Sequence, residues 1–268
     1  MTKPSVLVFA GSDPSGGAGI QADIQSISAM GAHPLPIITA LTVQDNNRVY
    51  AVHPVATMLV RQQAQALINK IKISAVKIGV VGNRANAETI AEIVKELRLH
   101  QPQLPVVLDP VLASGHGDAL AVENGLDTIA PLLSLATLIT PNLPEAAALC
   151  GDIPQPDLQA AALLRRGCQH VLIKGGHSTD AAIVNRWFTQ GDSRTWNWPR
   201  LPGAFHGTGC TLAAAIAALL AKNEYGNNMV EAIESAQAYC HQSLISSYAI
   251  ADGQRIPNRS ALFLKELA

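Results

Sequence analysis

Residues 6–30 read VLVFAGSDPSGGAGIQADIQSISAM: an unbroken apolar run, a glycine-rich turn, then a stretch of helix formers. A short apolar run bounded by turn residues fits a strand covered on both faces. The unit recurs along the chain. AVKIG (75–79) precedes ANAETIAEIVKELRLH (85–100), PVVLDP (105–110) precedes ENGLDTIAPLL (123–133), ATLITP (136–141) precedes EAAALC (145–150), and HVLIKGG (170–176) continues the series. This alternation predicts βαβ units and an α/β fold with a largely parallel central sheet flanked by helices. AAIVNRWFT (181–189) and RTWNWPR (194–200) flank the turn QGDS and predict a small antiparallel edge. Two helices are expected to close the chain. With no internal repeat, low-complexity stretch or long linker, residues 1–268 read as a single domain.

The 268 residues carry a formal net charge of -1 and are 48% hydrophobic, enough for a substantial core and unlike a disordered chain. Lysines and arginines form no cluster, which argues against nucleic acid or an anionic membrane as partner and favours a small molecule. The apolar run near the N-terminus is too short for a signal peptide or a membrane span, so a cytoplasmic location is expected. Cys150, Cys168, Cys210 and Cys240 lack the close spacing of a zinc site or redox motif and read as reduced thiols.

In parallel α/β sheets ligands bind beyond the C-terminal strand ends, so the residues there are the candidates for chemistry. The loop GSDPSGGAG, from Gly11, lets backbone approach a ligand, although Asp13 or Ser15 capping the following helix is the plainer reading. Neither a dinucleotide fingerprint nor a P-loop is present. Asp23 sits on that helix, where a solvated carboxylate is the ordinary meaning. Gln44 follows PIITALTV, where an amide reads the donor and acceptor edge of a ring or is simply a loop residue. Asp109, Asn142 and Glu145 are oxygen donors of the kind that suit Mg²⁺, yet Asn142 and Glu145 also match a capping box. Lys174 ends a strand before two glycines, either reaching a phosphate or snorkelling. In AFHGTGCTLAAAIAALLA (204–221), Gly207, Thr208, Gly209 and Cys210 open a helix whose first turn offers N–H donors and partial positive charge. That setting is expected to lower the Cys210 pKa, while small-residue packing is the competing explanation.

Taken in order and spacing, AGSDPSGGAGIQAD, ITALTVQ, KIGVVG, LDPV, ITPNLPEAAAL, IKGGH and HGTGCTLAAAIA resemble the hydroxymethylpyrimidine/phosphomethylpyrimidine kinases of thiamine biosynthesis, within the ribokinase-like superfamily. The resemblance runs through about residue 220. It implies a ribokinase-like fold, ATP as co-substrate with Mg²⁺, an aminopyrimidine alcohol as substrate and a homodimer. Carried over by residue, it implies that Cys210 is the base, Lys174 contacts the phosphate, and Asp109 and Glu145 organise Mg²⁺. Asn142 and the amides of Gly207, Thr208 and Gly209 then face the nucleotide phosphates, while Gly11, Asp23, Gln44 and Val80 line the pyrimidine pocket. Val80 stands where many relatives have methionine, DPVLASGHG (109–117) lacks the lysine common after this strand, and the ending ADGQRIPNRSALFLKELA (251–268) departs from the usual glycine- and histidine-rich one. Pyridoxal kinase is the near alternative; a nucleotide-binding protein without catalysis and an acyl-transfer enzyme pairing Cys210 with His206 are remote ones.

Overall fold

A computed structural model describes residues 2–112, 125–151, 153–223 and 228–260. The chain runs β1 (Ser5–Ser12), α1 (Gly19–Ala29), β2 (His33–Gln44), β3 (Val49–Pro54), α2 (Thr57–Ile68), β4 (Ala75–Ile78) and α3 (Arg84–His100). It continues through β5 (Val106–Leu108), α4 (Gly125–Leu133), β6 (Leu138–Ile139), α5 (Leu143–Cys150), α6 (Pro156–Arg165) and β7 (His170–Ile173). The last elements are β8 (Ala182–Thr189), β9 (Asp192–Pro199), α7 (Thr208–Lys222) and α8 (Met229–Ile245). All nine strands join one sheet in the order β3-β2-β1-β4-β5-β6-β7-β8-β9.

The six strands from β2 to β7 in that order pair in parallel, as the alternation predicts. The expected hairpin is β8–β9, with Thr189 opposite Asp192. A second antiparallel edge, β2–β3, was not anticipated, nor were α2 and α6. α5 starts at Leu143 because Asn142 caps it, two residues before the helix read from EAAALC. Residues 123–124 of the helix expected at 123–133, residues 113–117 of the lysine-free stretch and residues 261–268 of the C-terminal ending lie outside the described residues.

Alternate residues of the central strands feed two cores, which is why their sequences are largely apolar, Lys77 in β4 excepted. On β1, Leu7 and Phe9 enter the layer built with α2 to α6, whereas Val6, Val8 and Ala10 enter the layer of α1, α7 and α8. α7 meets the sheet through Ala213, Ala214, Ala215, Ala217 and Ala218, all fully buried, so its axis packs closely. Among the described residues no helix is long and apolar enough to cross a membrane.

Asn86, buried in α3, fixes the middle of β2 and the residue after β3 to the segment after β4. Its Nδ2 donates to the carbonyls of Thr39, Val55 and Val81 at 3.1–3.2 Å, and Thr39 Oγ1 donates to Val80 O. Asn86→Ala is expected to destabilise the fold by about 1–3 kcal/mol, since buried carbonyls lose their donor. Urea unfolding checks this, and an unchanged midpoint would show that water takes the amide's place.

Candidate active site

A cavity of about 500 Å³ opens at the C-terminal edge of the parallel strands, against the N-terminus of α7. Gly11, Gln44, Val80, Asp109, Asn142, Glu145, Lys174, Gly207, Thr208, Gly209 and Cys210 all line it. Asp23 does not: it is fully buried one layer deeper, and the residue between it and the cavity is Lys77. Local irregularity helps aim the wall. The β1–β2 register shifts between Ala10 and Gly11, and the β2–β3 register shifts between Val43 and Gln44. Such bulges turn a side chain out of the regular pleat.

Two glycine-rich turns form the floor. Gly207 adopts φ 77°, and a Cβ there would lie 2.0 Å from Gly17 O, so only glycine allows the turn. The residues that follow, Thr208 to Cys210, form the first turn of α7, whose amides have no acceptor within the helix and suit an anion. On the facing loop Asp13 accepts from Ser15 N (2.8 Å), Ser15 Oγ (3.0 Å) and Ala18 N (2.7 Å), which orders the turn; the capping read from sequence is not formed, since α1 has Ala18 as its N-cap and no side-chain cap. His206 Nε2 lies 2.9 Å from Asp13 Oδ2 and ties the loop to the segment before α7.

Charged side chains alternate in sign along the cavity. Lys174 Nζ donates to Asp109 Oδ1 (2.8 Å), which also accepts from Thr140 Oγ1 (2.9 Å). A Cβ on Gly209 would sit 3.1 Å from Lys174 Nζ, so the helix start lies directly over this pair. Burial works against the charge of Asp109, but Lys174 and Lys77 hold its carboxyl below the usual range. Burial likewise opposes the Lys174 ammonium, which Asp109 and Glu145 keep protonated. Glu145 is less well compensated: burial pushes it up to about 7. It forms the capping box with Asn142, through Asn142 N to Oε2 (2.8 Å) and Glu145 N to Asn142 Oδ1 (2.9 Å). Capping and a place in the cavity wall thus coexist.

The expected lowering of the Cys210 pKa is reversed. Burial pushes the thiol up to about 11, with Asp23 and Asp109 adding to the rise and Lys77 opposing it. Loss of hydration outweighs the helix N-terminus here. Cys150, Cys168 and Cys240 are buried free thiols.

Two residues escaped the sequence reading. Lys77 is fully buried beside Asp23, and the signal was visible as a lysine inside the apolar run AVKIG. Arg259, also buried, donates to Thr211 Oγ1 (2.9 Å), Gln25 Oε1 (3.3 Å) and Gly17 O. Nothing local in the sequence marks it, because its contacts are all distant along the chain.

A largely parallel sheet with a glycine-opened helix facing a lysine and paired carboxylates defines a ribokinase-like phosphotransferase. The phosphomethylpyrimidine kinase family matches residues 13–258. A hydroxymethylpyrimidine/phosphomethylpyrimidine kinase of Rhizobium meliloti is 41% identical over 260 residues, 92% of this chain and 93% of that protein. Among solved structures, the ADP complex of Bacillus subtilis pyridoxal kinase superposes with a TM-score of 0.85 at 29% identity, covering 98% of this chain and all of that one. A phosphomethylpyrimidine kinase from Clostridium difficile gives 0.74 at 32% identity, covering 90% of this chain and all of that one. The chain belongs to the phosphomethylpyrimidine kinase family.

Burial disfavours the ionised Asp13, yet hydrogen bonds from His206, Ser15 and Ala18 hold its pKa below the ordinary 3.8. A depressed folded-state pKa gives stability that is present above the unfolded value and lost as pH falls through the folded one. Asp13→Asn is therefore expected to be less stable than wild type at neutral pH, with the gap narrowing below about pH 4. Denaturant melts across that range check it; a constant gap would mean the ionised form contributes nothing.

Proposed function

We propose that this chain transfers the γ-phosphoryl group of ATP to the hydroxymethyl oxygen of 4-amino-5-hydroxymethyl-2-methylpyrimidine, and phosphorylates the resulting monophosphate to the diphosphate. The observation carrying this reading is that Cys210, at the N-terminus of α7, shares one cavity with Lys174, Asp109 and Gln44. Gln44 pairs with the aminopyrimidine edge, Gly11 and Val80 form the ring's walls, and Asp23 acts on the pocket through Lys77. Cys210 rests as a thiol and takes the substrate proton as a thiolate formed under the Lys77 ammonium and the first-turn amides of α7. The alkoxide oxygen then bonds to the γ-phosphorus as the bond to ADP breaks. Amides of Gly207 to Cys210 meet the charge on the transferred group, with Lys174 and Asn142 beside it.

The donor chemistry fits Mg²⁺. Among the described residues no three His, Cys, Asp or Glu side chains cluster as a metal site, but Asp109 and Glu145 offer hard oxygens in one cavity. Glu145, pushed up to about 7 by burial, is short of positive charge that a cation supplies. When bound there, directly or through water, Mg²⁺ neutralises phosphate charge. We take the enzyme to be a single cytoplasmic domain over residues 1–268, acting on a small molecule without nucleic acid or membrane. It is proposed to work as a homodimer, which the exposed apolar Leu41, Val43 and Tyr50 on the β2–β3 edge support.

A second reading, pyridoxal kinase, is favoured by the superposition on the Bacillus subtilis enzyme. Turnover of hydroxymethylpyrimidine, its monophosphate and pyridoxal with Mg·ATP separates the two. Higher kcat/KM for the pyrimidines is expected; preference for pyridoxal overturns the substrate assignment.

Cys210→Ser should fold and lose about 10²–10⁴-fold in kcat, the usual contribution of general-base assistance. Cys210→Asp should recover part of that loss, which a covalent-nucleophile role forbids. Wild-type turnover by the serine variant would remove Cys210 from the role of base.

A further inference from the structure

Lys77 occupies an improbable place for a lysine. On β4, Val76 and Ile78 face the α2–α6 layer, while Ala75 belongs to the layer of α1 and α7, so alternation puts Lys77 on the α1–α7 face. Its ammonium is fully buried, which costs hydration, and the alanine surface of α7 offers it no polar partner. The nearby start of α7 carries positive partial charge, which makes the location worse. Asp23 on α1 answers one side: Nζ lies 2.9 Å from both carboxylate oxygens and donates to Oδ2, leaving Oδ1 without a hydrogen bond. Gly79 leaves the room, since a Cβ there would stand 2.8 Å from Nζ.

If this pair served stability alone, well-packed apolar residues of similar volume would do as well or better. Its position suggests another use. Lys77 lines the reaction cavity together with Cys210, and the two interact electrostatically. The charged groups facing Cys210 are Lys77 from β4, Asp23 from α1, Asp109 after β5, Lys174 after β7 and Arg259 from the C-terminal segment. Both carboxylates oppose a thiolate. Lys174 is held by Asp109, and Arg259 spans Gly17 and Thr211, whereas Lys77 enters the cavity beside Cys210 with its partner Asp23 behind it, outside the cavity wall.

We propose that Lys77, anchored by Asp23, is a positioning residue for proton removal: its ammonium holds Cys210 as a thiolate while the substrate alcohol gives up its proton. This rests on Cys210 being the base. The alcohol proton passes to Sγ, the freed oxygen forms its bond to the γ-phosphorus, and the bridging bond breaks with its electron pair leaving on ADP. Because Cys210 rests as a thiol, its own proton leaves to solvent first; the alcohol proton that replaces it restores the resting thiol, and Lys77 keeps its own proton throughout.

Alkylation of Cys210 by iodoacetamide in the ligand-free enzyme reads the thiolate without turnover, with mass spectrometry assigning the modified cysteine. Over about pH 8–10, Lys77→Met is expected to slow alkylation about tenfold, equivalent to an upward shift of one pKa unit, while Lys77→Arg stays near wild type. The kcat of the methionine variant should fall with little change in pyrimidine KM. Should that variant not fold, Lys77→Gln carries the same expectation. Alkylation at the wild-type rate in a folded, uncharged variant overturns the proposal, as does an arginine variant as slow as the methionine one. Because the alkylation rates are taken without substrate, they are independent of the Cys210→Ser and Cys210→Asp turnover that decides the base assignment.

Discussion

The contact on which the active-site edge depends is the approach of Gly207 to the carbonyl of Gly17. A left-handed residue without a side chain lets the start of α7 lie against the β1–α1 loop, and any Cβ would force the two apart. The contact has little strength of its own, so it must be held by what surrounds it. Arg259 bonds to Gly17 O and to Thr211 in α7, and His206 bonds to Asp13. The tail that delivers Arg259 is itself fixed, since Arg255 N donates to Ala204 O and Arg255 O accepts from His206 N. A helix N-terminus that must meet an anion is thus held by both ends of the chain.

Around that floor the charges are arranged in pairs, Asp23 with Lys77 and Asp109 with Lys174, on neighbouring parts of the same sheet edge. Each pair is nearly neutral, which limits the cost of burial in an empty cavity. Both ammonium groups nevertheless face the cavity, where the proposed phosphoryl transfer moves charge. Such groups are oriented before reaction and need no large rearrangement when it occurs, which is how a dry, ordered site favours a charged transition state.

The parallel sheet was legible because period and composition are local properties: each buried strand is largely apolar, with Lys77 in β4 the exception, and ends in a turn. What escaped was set by distant partners. β3 is short and half-exposed, with an apolar run of only Val49 to Val52 and no clear alternation, and it exists because β2 gives it an edge to pair with. The cavity wall was legible wherever a residue followed a strand end, as Gln44, Asp109 and Lys174 do. Asp23 was placed one layer too shallow, since nothing local tells a helix carboxylate that it has a buried lysine for a neighbour. Asn142 and Glu145 read as either a cap or a site, and in the structure they form the capping box and also line the cavity.

The same reasoning explains why a thiol suits position 210. With Asp23 and Asp109 already near, a third carboxylate would add a permanent negative charge among two others, whereas a thiol is neutral in the empty site. Its burial raises the cost of ionisation, and that cost is also what makes the thiolate a stronger base once it forms. A carboxylate would be ionised more readily but would bind the substrate proton more weakly. On the proposed role of Cys210 as base, a residue that is neutral at rest and basic on demand calls for a cation beside it, and Lys77 stands in the same cavity wall. The chemistry of the cysteine and the burial of the lysine are two consequences of one electrostatic arrangement.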